Sequence, residues 1–90
     1  MTTLFSAGFN MVGYLPNPDT VHDFDSTTDA WEYILSEIDH AWTESERDGD
    51  DALAGEWLEA HTMMHHTDVS QAGEFVAGGM SFWVMPVDHA

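Results

Sequence analysis

Ser26–Arg47, STTDAWEYILSEIDHAWTESER, is the stretch whose reading decides the fold. Trp31, Ile34, Leu35, Ile38 and Trp42 recur at helical steps and, with Ala30 and Ala41, form one apolar arc of an amphipathic α-helix. An arc of that size has to be covered by other parts of the chain. Glu32, Asp39 and Glu46 fall on the opposite side with Ser36 and Thr43, and Glu37 and Glu44 flank them. The solvent side is therefore almost wholly anionic until Arg47. Ser26 followed by Asp29 has the form of a capping box, and Asp25 and Asp29 place negative charge at the positive end of the helix. Asp48-Gly49-Asp50-Asp51 marks the end: Gly49 can take the left-handed conformation, and an aspartate can cap the next helix.

So short a turn predicts two antiparallel helices. The second runs from Ala52 to about His66, with a stripe of Leu53, Trp57, Ala60 and Met64 flanked by Ala54, Leu58 and His61. Gly55 inside it costs about 0.5 to 1 kcal/mol relative to Ala. On the N-terminal side, Leu4 to Leu15 alternates: Phe5, Ala7, Phe9, Met11 and Leu15 point one way, and Ser6, Gly8 and Asn10 the other. That pattern predicts a strand with one buried face, with Gly8 and Gly13 as bulge or kink positions and Pro16 as its stop. Pro16 to Asp25 reads as a turn-rich loop, restricted before Pro18 and pinned to the core by Val21 and Phe24. After a connector from Thr67 to Gly73, Glu74–Ala77 and Met80–Val87 flank Gly78-Gly79 as a β-hairpin, and Pro86 implies an edge or an end. The expected architecture is α+β: a small β-α-α-β-β domain, an antiparallel sheet with two antiparallel helices on one face.

The totals bound what such a domain can be. Ninety residues make one domain with a small stability margin, and a two-lobed enzyme is excluded. The hydrophobic fraction of 43%, with four Trp, five Phe and six Met, belongs to a folded core, although the net charge of -16 taken alone suggests disorder. Seventeen acids stand against one Arg and no Lys, and twelve of the 17 lie between Asp19 and Asp51. A chain so charged is repelled by naked nucleic acid and by anionic lipid. Without cysteine there is no disulfide, thiol nucleophile or thiolate metal site. No apolar run approaches the roughly 20 residues of a membrane span, and no basic region precedes an apolar one, so a cytoplasmic location is expected.

Chemistry-bearing motifs are few. His61 and His65 share a helix face with metal-ligand spacing, and Asp68 can add an oxygen. The glutamate of the zinc-protease pattern is missing, so no metal is expected and the histidines read as a partly exposed helix C-terminus whose protonation is favoured by the dipole and nearby acids. Asp48, Asp50 and Asp51 resemble a fragment of a calcium loop but lack its twelve-residue alternation and terminal glutamate. No phosphate loop, nucleophile elbow or Ser-His-Asp arrangement occurs, and so short a chain hardly encloses the apolar pocket that separates the pKa values of paired catalytic carboxylates. Trp31, Trp42 and Trp57 are at core spacing, whereas Trp83 and Tyr14 are candidates to face outward as partner anchors. The expectation is a protein that is not an enzyme and needs no cofactor.

The residues that point to a partner are Asp29, Glu32, Glu37, Asp39, Glu44 and Glu46. Successive acids on one helix face lie about 5 to 10 Å apart, of the order of the phosphate spacing along a DNA strand, so a basic groove can accept the helix as it accepts duplex. The expected partner is a basic, nucleic-acid-binding host protein. Salt adaptation or simple solubility explains the same composition, and the alternative roles are a homodimer through the sheet bearing Trp83 and the Phe5 to Leu15 strand, or a metal-binding protein that depends on His61.

Gly13-Tyr14-Leu15-Pro16, the acidic loop with Phe24, the helix DAWEYILSEIDHA and the terminal SFWV together resemble small uncharacterised proteins of actinobacteriophages and related mobile elements. The resemblance covers the two ends and the first helix. It implies a phage or accessory-genome origin, hence a host-cell cytoplasmic setting and a small protein that blocks a host nucleic-acid enzyme or nucleoid protein. No residue roles come with it.

The charge imbalance has a direct thermodynamic consequence. Self-repulsion opposes compaction, and salt shortens its range from about 30 Å at 0.01 M to about 3 Å at 1 M. The thermal midpoint followed by circular dichroism is expected to rise with NaCl over that range, by about 4 to 8 °C for each 1 kcal/mol of repulsion removed. A midpoint indifferent to salt would mean that the carboxylates do not strain the fold.

Overall fold

A computed structural model describes residues 4–15 and 21–87. The element order is β1 (Leu4–Met11), β2 (His22–Phe24), α1 (Thr27–Arg47), α2 (Asp51–His65), β3 (Gly73–Ala77) and β4 (Met80–Val87). All four strands form one antiparallel sheet in the order β2-β1-β4-β3, with both helices on the face that carries the core. The fold class is the α+β layer that the periodicities predict, with one strand more.

That extra strand corrects the reading of the Pro16 to Asp25 segment as a loop throughout. His22–Phe24 pairs with β1 in the register Phe5↔Phe24, Ser6↔Asp23, Ala7↔His22. Three residues are too few to display alternation, and what holds them extended is a neighbour distant in sequence. Phe24 packs on Tyr33 of α1 at 5.4 Å between ring centroids, as expected for a residue pinned to the core. Pro16, Pro18 and Asp19 lie outside the described residues.

The first strand is shorter than its pattern. It ends at Met11, and the Tyr14 amide donates to the Met11 carbonyl at 3.0 Å to close a turn. Met11 and Leu15, read as inward-pointing, are 59% and 94% exposed. The alternation runs past the last position at which β4 can pair, since Met11↔Met80 is the final rung. Gly8 makes no bulge and stays in register opposite Trp83. It is there because Trp83 lies across it: a Cβ on Gly8 would sit 2.7 Å from the ring Cζ2 and 3.0 Å from Val21 Cγ2. The indole Nε1 of Trp83 donates to Asn10 Oδ1 at 3.0 Å, so the ring lies along the outer sheet face, on the outward side expected for it.

The helices follow their sequence signals closely. The Ser26 hydroxyl accepts from the Asp29 amide at 3.1 Å, and the Asp50 carboxylate accepts from the Leu53 amide at 3.1 Å, satisfying one orphan donor at each start. Ala30, Trp31, Ile34 and Ile38 are buried, Leu35 is half-buried against the core, and Trp42 is half-exposed above it. Pro86 lies beyond Val84, where β3 stops pairing, so that end of β4 is an edge and the missing amide interrupts no bond to β3.

The β3–β4 hairpin turns on Gly78 and Gly79 at φ +58° and +77°, the double left-handed conformation of a two-residue turn. Their neighbourhoods differ. A Cβ on Gly78 would meet Glu56 Cβ at 2.9 Å, whereas one on Gly79 would meet nothing within 4 Å. Gly79→Ala is therefore expected to cost about 1 to 2 kcal/mol from backbone strain alone. Gly78→Ala is expected to cost more, since α2 must also shift. Urea unfolding of the two variants checks the order.

Candidate acidic face and helix seam

Six carboxylates of α1 were singled out from spacing, and the fold treats them differently. Asp29, Glu32 and Glu46 are exposed. Among the described residues Glu32 and Glu46 have neither a cation nor a hydrogen-bond donor in contact. Glu44 is the one with two close partners: His40 Nε2 approaches its Oε1 at 3.3 Å and the Arg47 guanidinium approaches the same oxygen through Nη2 at 3.8 Å. Arg47 is the sole Lys or Arg of the chain, so its charge is committed at the far end of α1. Glu37 is half-buried on the β2 side of the helix, beside Tyr33, whose hydroxyl is held above its ordinary pKa by burial and then by the Glu37 charge.

Asp39, expected opposite the apolar arc, stands four residues after Leu35 and three before Trp42, at the edge of that arc. It turns to α2, and His61 Nε2 lies 3.0 Å from its Oδ1. The side chains are 23% exposed for His61 and 50% for Asp39, a half-sheltered contact at the seam between the helices. His61 also meets two aromatic rings, Trp42 in a tilted contact at 5.1 Å and His65 edge to face at 4.5 Å between centroids. Trp42 thus covers a histidine and not the sheet. Helical spacing put Asp39 and His61 on neighbouring helices, but only the packing angle of α2 brought them together.

His61 and His65 do stand side by side, as their spacing requires. Asp68 does not join them. Its Oδ1 accepts from the Ser70 hydroxyl at 2.6 Å and the Ser70 amide at 3.0 Å, and these bonds hold its carboxyl below the usual pKa. Among the described residues no group of three or more His, Asp or Glu could hold a metal ion. In the Asp48–Asp51 turn, Asp50 is occupied by its capping bond to Leu53. Tyr14 is exposed, as an outward anchor should be, and Asn10 Nδ2 donates to its carbonyl at 2.9 Å.

Two features of the surface had no signal in the sequence. One is the contact of Glu59 Oε2 with the Gly78 amide at 3.2 Å, which ties α2 to the hairpin. The other is a cleft of about 330 Å³ at the same end, lined by Trp57, Phe82, Met80, Leu53, Met11 and Glu56. No described helix is long and apolar enough to cross a membrane. No known family, curated protein or solved structure matches the chain.

The seam makes a measurable claim. A double-mutant cycle on Asp39→Asn and His61→Ala is expected to give a coupling below about 1 kcal/mol below pH 6, because half of the Asp39 side chain is in water. His61→Ala alone is expected to cost more than the coupling, since it also uncovers the Trp42 ring. Urea unfolding monitored by tryptophan fluorescence reads both quantities.

Proposed function

We propose that this protein is a non-enzymatic acidic binding module that offers the outer face of α1 to a basic, nucleic-acid-binding protein and competes there with DNA. The observation that carries the reading is the disposition of charge along α1. Arg47, the one strong cation, is engaged by Glu44, and Asp29, Glu32 and Glu46 remain exposed on the same helix. Like charges in such an array destabilise the free helix, and a cationic partner relieves that repulsion. In a phage or mobile-element setting the partner is a host nucleic-acid enzyme or nucleoid protein.

Magnitudes set the conditions under which this works. From Asp29 to Glu46 all six carboxylates average about one charge per 5 Å of helix axis, and Asp29, Glu32 and Glu46 alone about one per 10 Å, against about one per 1.7 Å for duplex DNA. The face is therefore thinner in charge than duplex. It steers a basic partner quickly at low salt and releases it as salt rises.

Displacement of a labelled DNA duplex from a basic nucleoid-type protein tests the reading. The wild-type chain is expected to release the duplex at low salt, and the paired Glu32→Gln and Glu46→Gln substitutions to raise the concentration for half-release about three- to tenfold. Both residues are exposed, so circular dichroism of the variant should match wild type. Equal release by the two proteins would remove the α1 face as the binding surface.

A further inference from the structure

At the end of the sheet where β3 turns into β4, the first turns of α2 stand over the strand ends and leave the space beneath them unfilled. The cleft of about 330 Å³ described above opens there. Its floor is Trp57 and Phe82, whose rings meet edge to face at 6.0 Å. Leu53, Met80 and Met11 form its sides, each from a different element. The back is held rigidly, because Gly78 lies against Glu56 too closely for a Cβ and donates its amide to Glu59.

Leu53 belongs to the same stripe of α2 as Ala60 and Met64. Those two are buried, yet Leu53 stays 40% exposed because the strands end in the Gly78-Gly79 turn beside it. Apolar walls facing water are unfavourable to leave open, and the volume falls at the lower end of the roughly 300 to 1,000 Å³ range of ligand clefts. It suffices for one bulky side chain. The two methionines let the walls adapt to its shape.

Charge selects the occupant. Glu56 is the sole titratable group in the lining, Asp50 and Asp51 begin the same helix, and the chain carries a net charge of -16. An acidic occupant is repelled, a neutral one gains apolar contact alone, and an apolar group flanked by cations gains both. We infer that this cleft is a socket for a single bulky apolar side chain, such as Phe, carried in a basic segment of the partner protein, with Glu56 holding a Lys or Arg beside it. The inference rests on the reading of the chain as an acidic binder and adds the anchor that reading lacks. A diffuse anionic face speeds encounter, whereas a buried aromatic or aliphatic group at a rigid site slows release.

Fluorescence anisotropy with three labelled peptides tests it: four lysines around a central phenylalanine, the same peptide with alanine at the centre, and the phenylalanine peptide with glutamates for lysines. The intact chain at low salt is expected to bind the lysine–phenylalanine peptide about tenfold more tightly than its alanine counterpart, as burial of one aromatic side chain allows. Leu53→Gln is expected to bring that ratio close to one and leave the alanine peptide's affinity unchanged, and Glu56→Gln to weaken both lysine peptides. The glutamate peptide should not bind. Equal affinity for the phenylalanine and alanine peptides would overturn the socket and leave the acidic-binder reading standing. No binding of either lysine peptide would overturn both. A phenylalanine preference that survives Leu53→Gln would overturn the assignment to this cleft, and binding of the glutamate peptide would overturn the charge selection.

Discussion

The contact of Trp31 with the sheet is the interaction on which the rest of the molecule depends. Its indole stacks on Phe75 at 6.0 Å, Phe75 stacks on Phe82 at 5.1 Å, and Phe82 meets Phe9 and Trp57 at 6.0 Å each. The Trp31 Nε1 donates to the Gln71 carbonyl at 2.8 Å, so the same side chain holds the connector that delivers β3 to the sheet edge. One residue of α1 thereby joins both helices, three strands and the last connection. In a chain with a net charge of -16, short-range apolar contacts of this kind have to outweigh repulsion that acts at long range.

This layering also determines where the charge goes. The molecule measures 47 × 25 × 18 Å, and its thinnest dimension admits one helical layer on one sheet. Among the described residues nothing buries the outer side of α1, so its acids face solvent. The exceptions are Asp39 against His61 of α2 and Glu37 beside Tyr33, whereas Glu44 is exposed and meets His40 and Arg47 of its own helix. With a single arginine available, the other partners that these carboxylates find are the ring nitrogens of His40 and His61.

Two kinds of surface result, and they act over different distances. As a binding surface, the α1 face we propose would act through a field that reaches beyond contact and weakens with salt. The proposed socket under the start of α2 would act through apolar contact, with salt touching only the pairing at Glu56. For the binding role we propose, so small a protein offers little interface area, and a steering field combined with one socket would supply fast encounter and slow release separately.

Features set by neighbours in sequence were legible in the sequence itself. The 3.6-residue period of Trp31, Ile34 and Ile38, the Ser26 and Asp50 caps, and the Gly78-Gly79 turn identify α1, the start of α2 and the hairpin, because cap and turn bonds form within a few residues of their donors. Tertiary structure alone decided the rest. The three-residue β2 is held extended by β1, and Gly8 is required by a ring from Trp83 on another strand. Asp39 finds His61 only once the helices pack, and the cleft exists only where three elements end at the same level. Each of these depends on chain segments that are remote in sequence and meet only on folding, so no local period or motif records them.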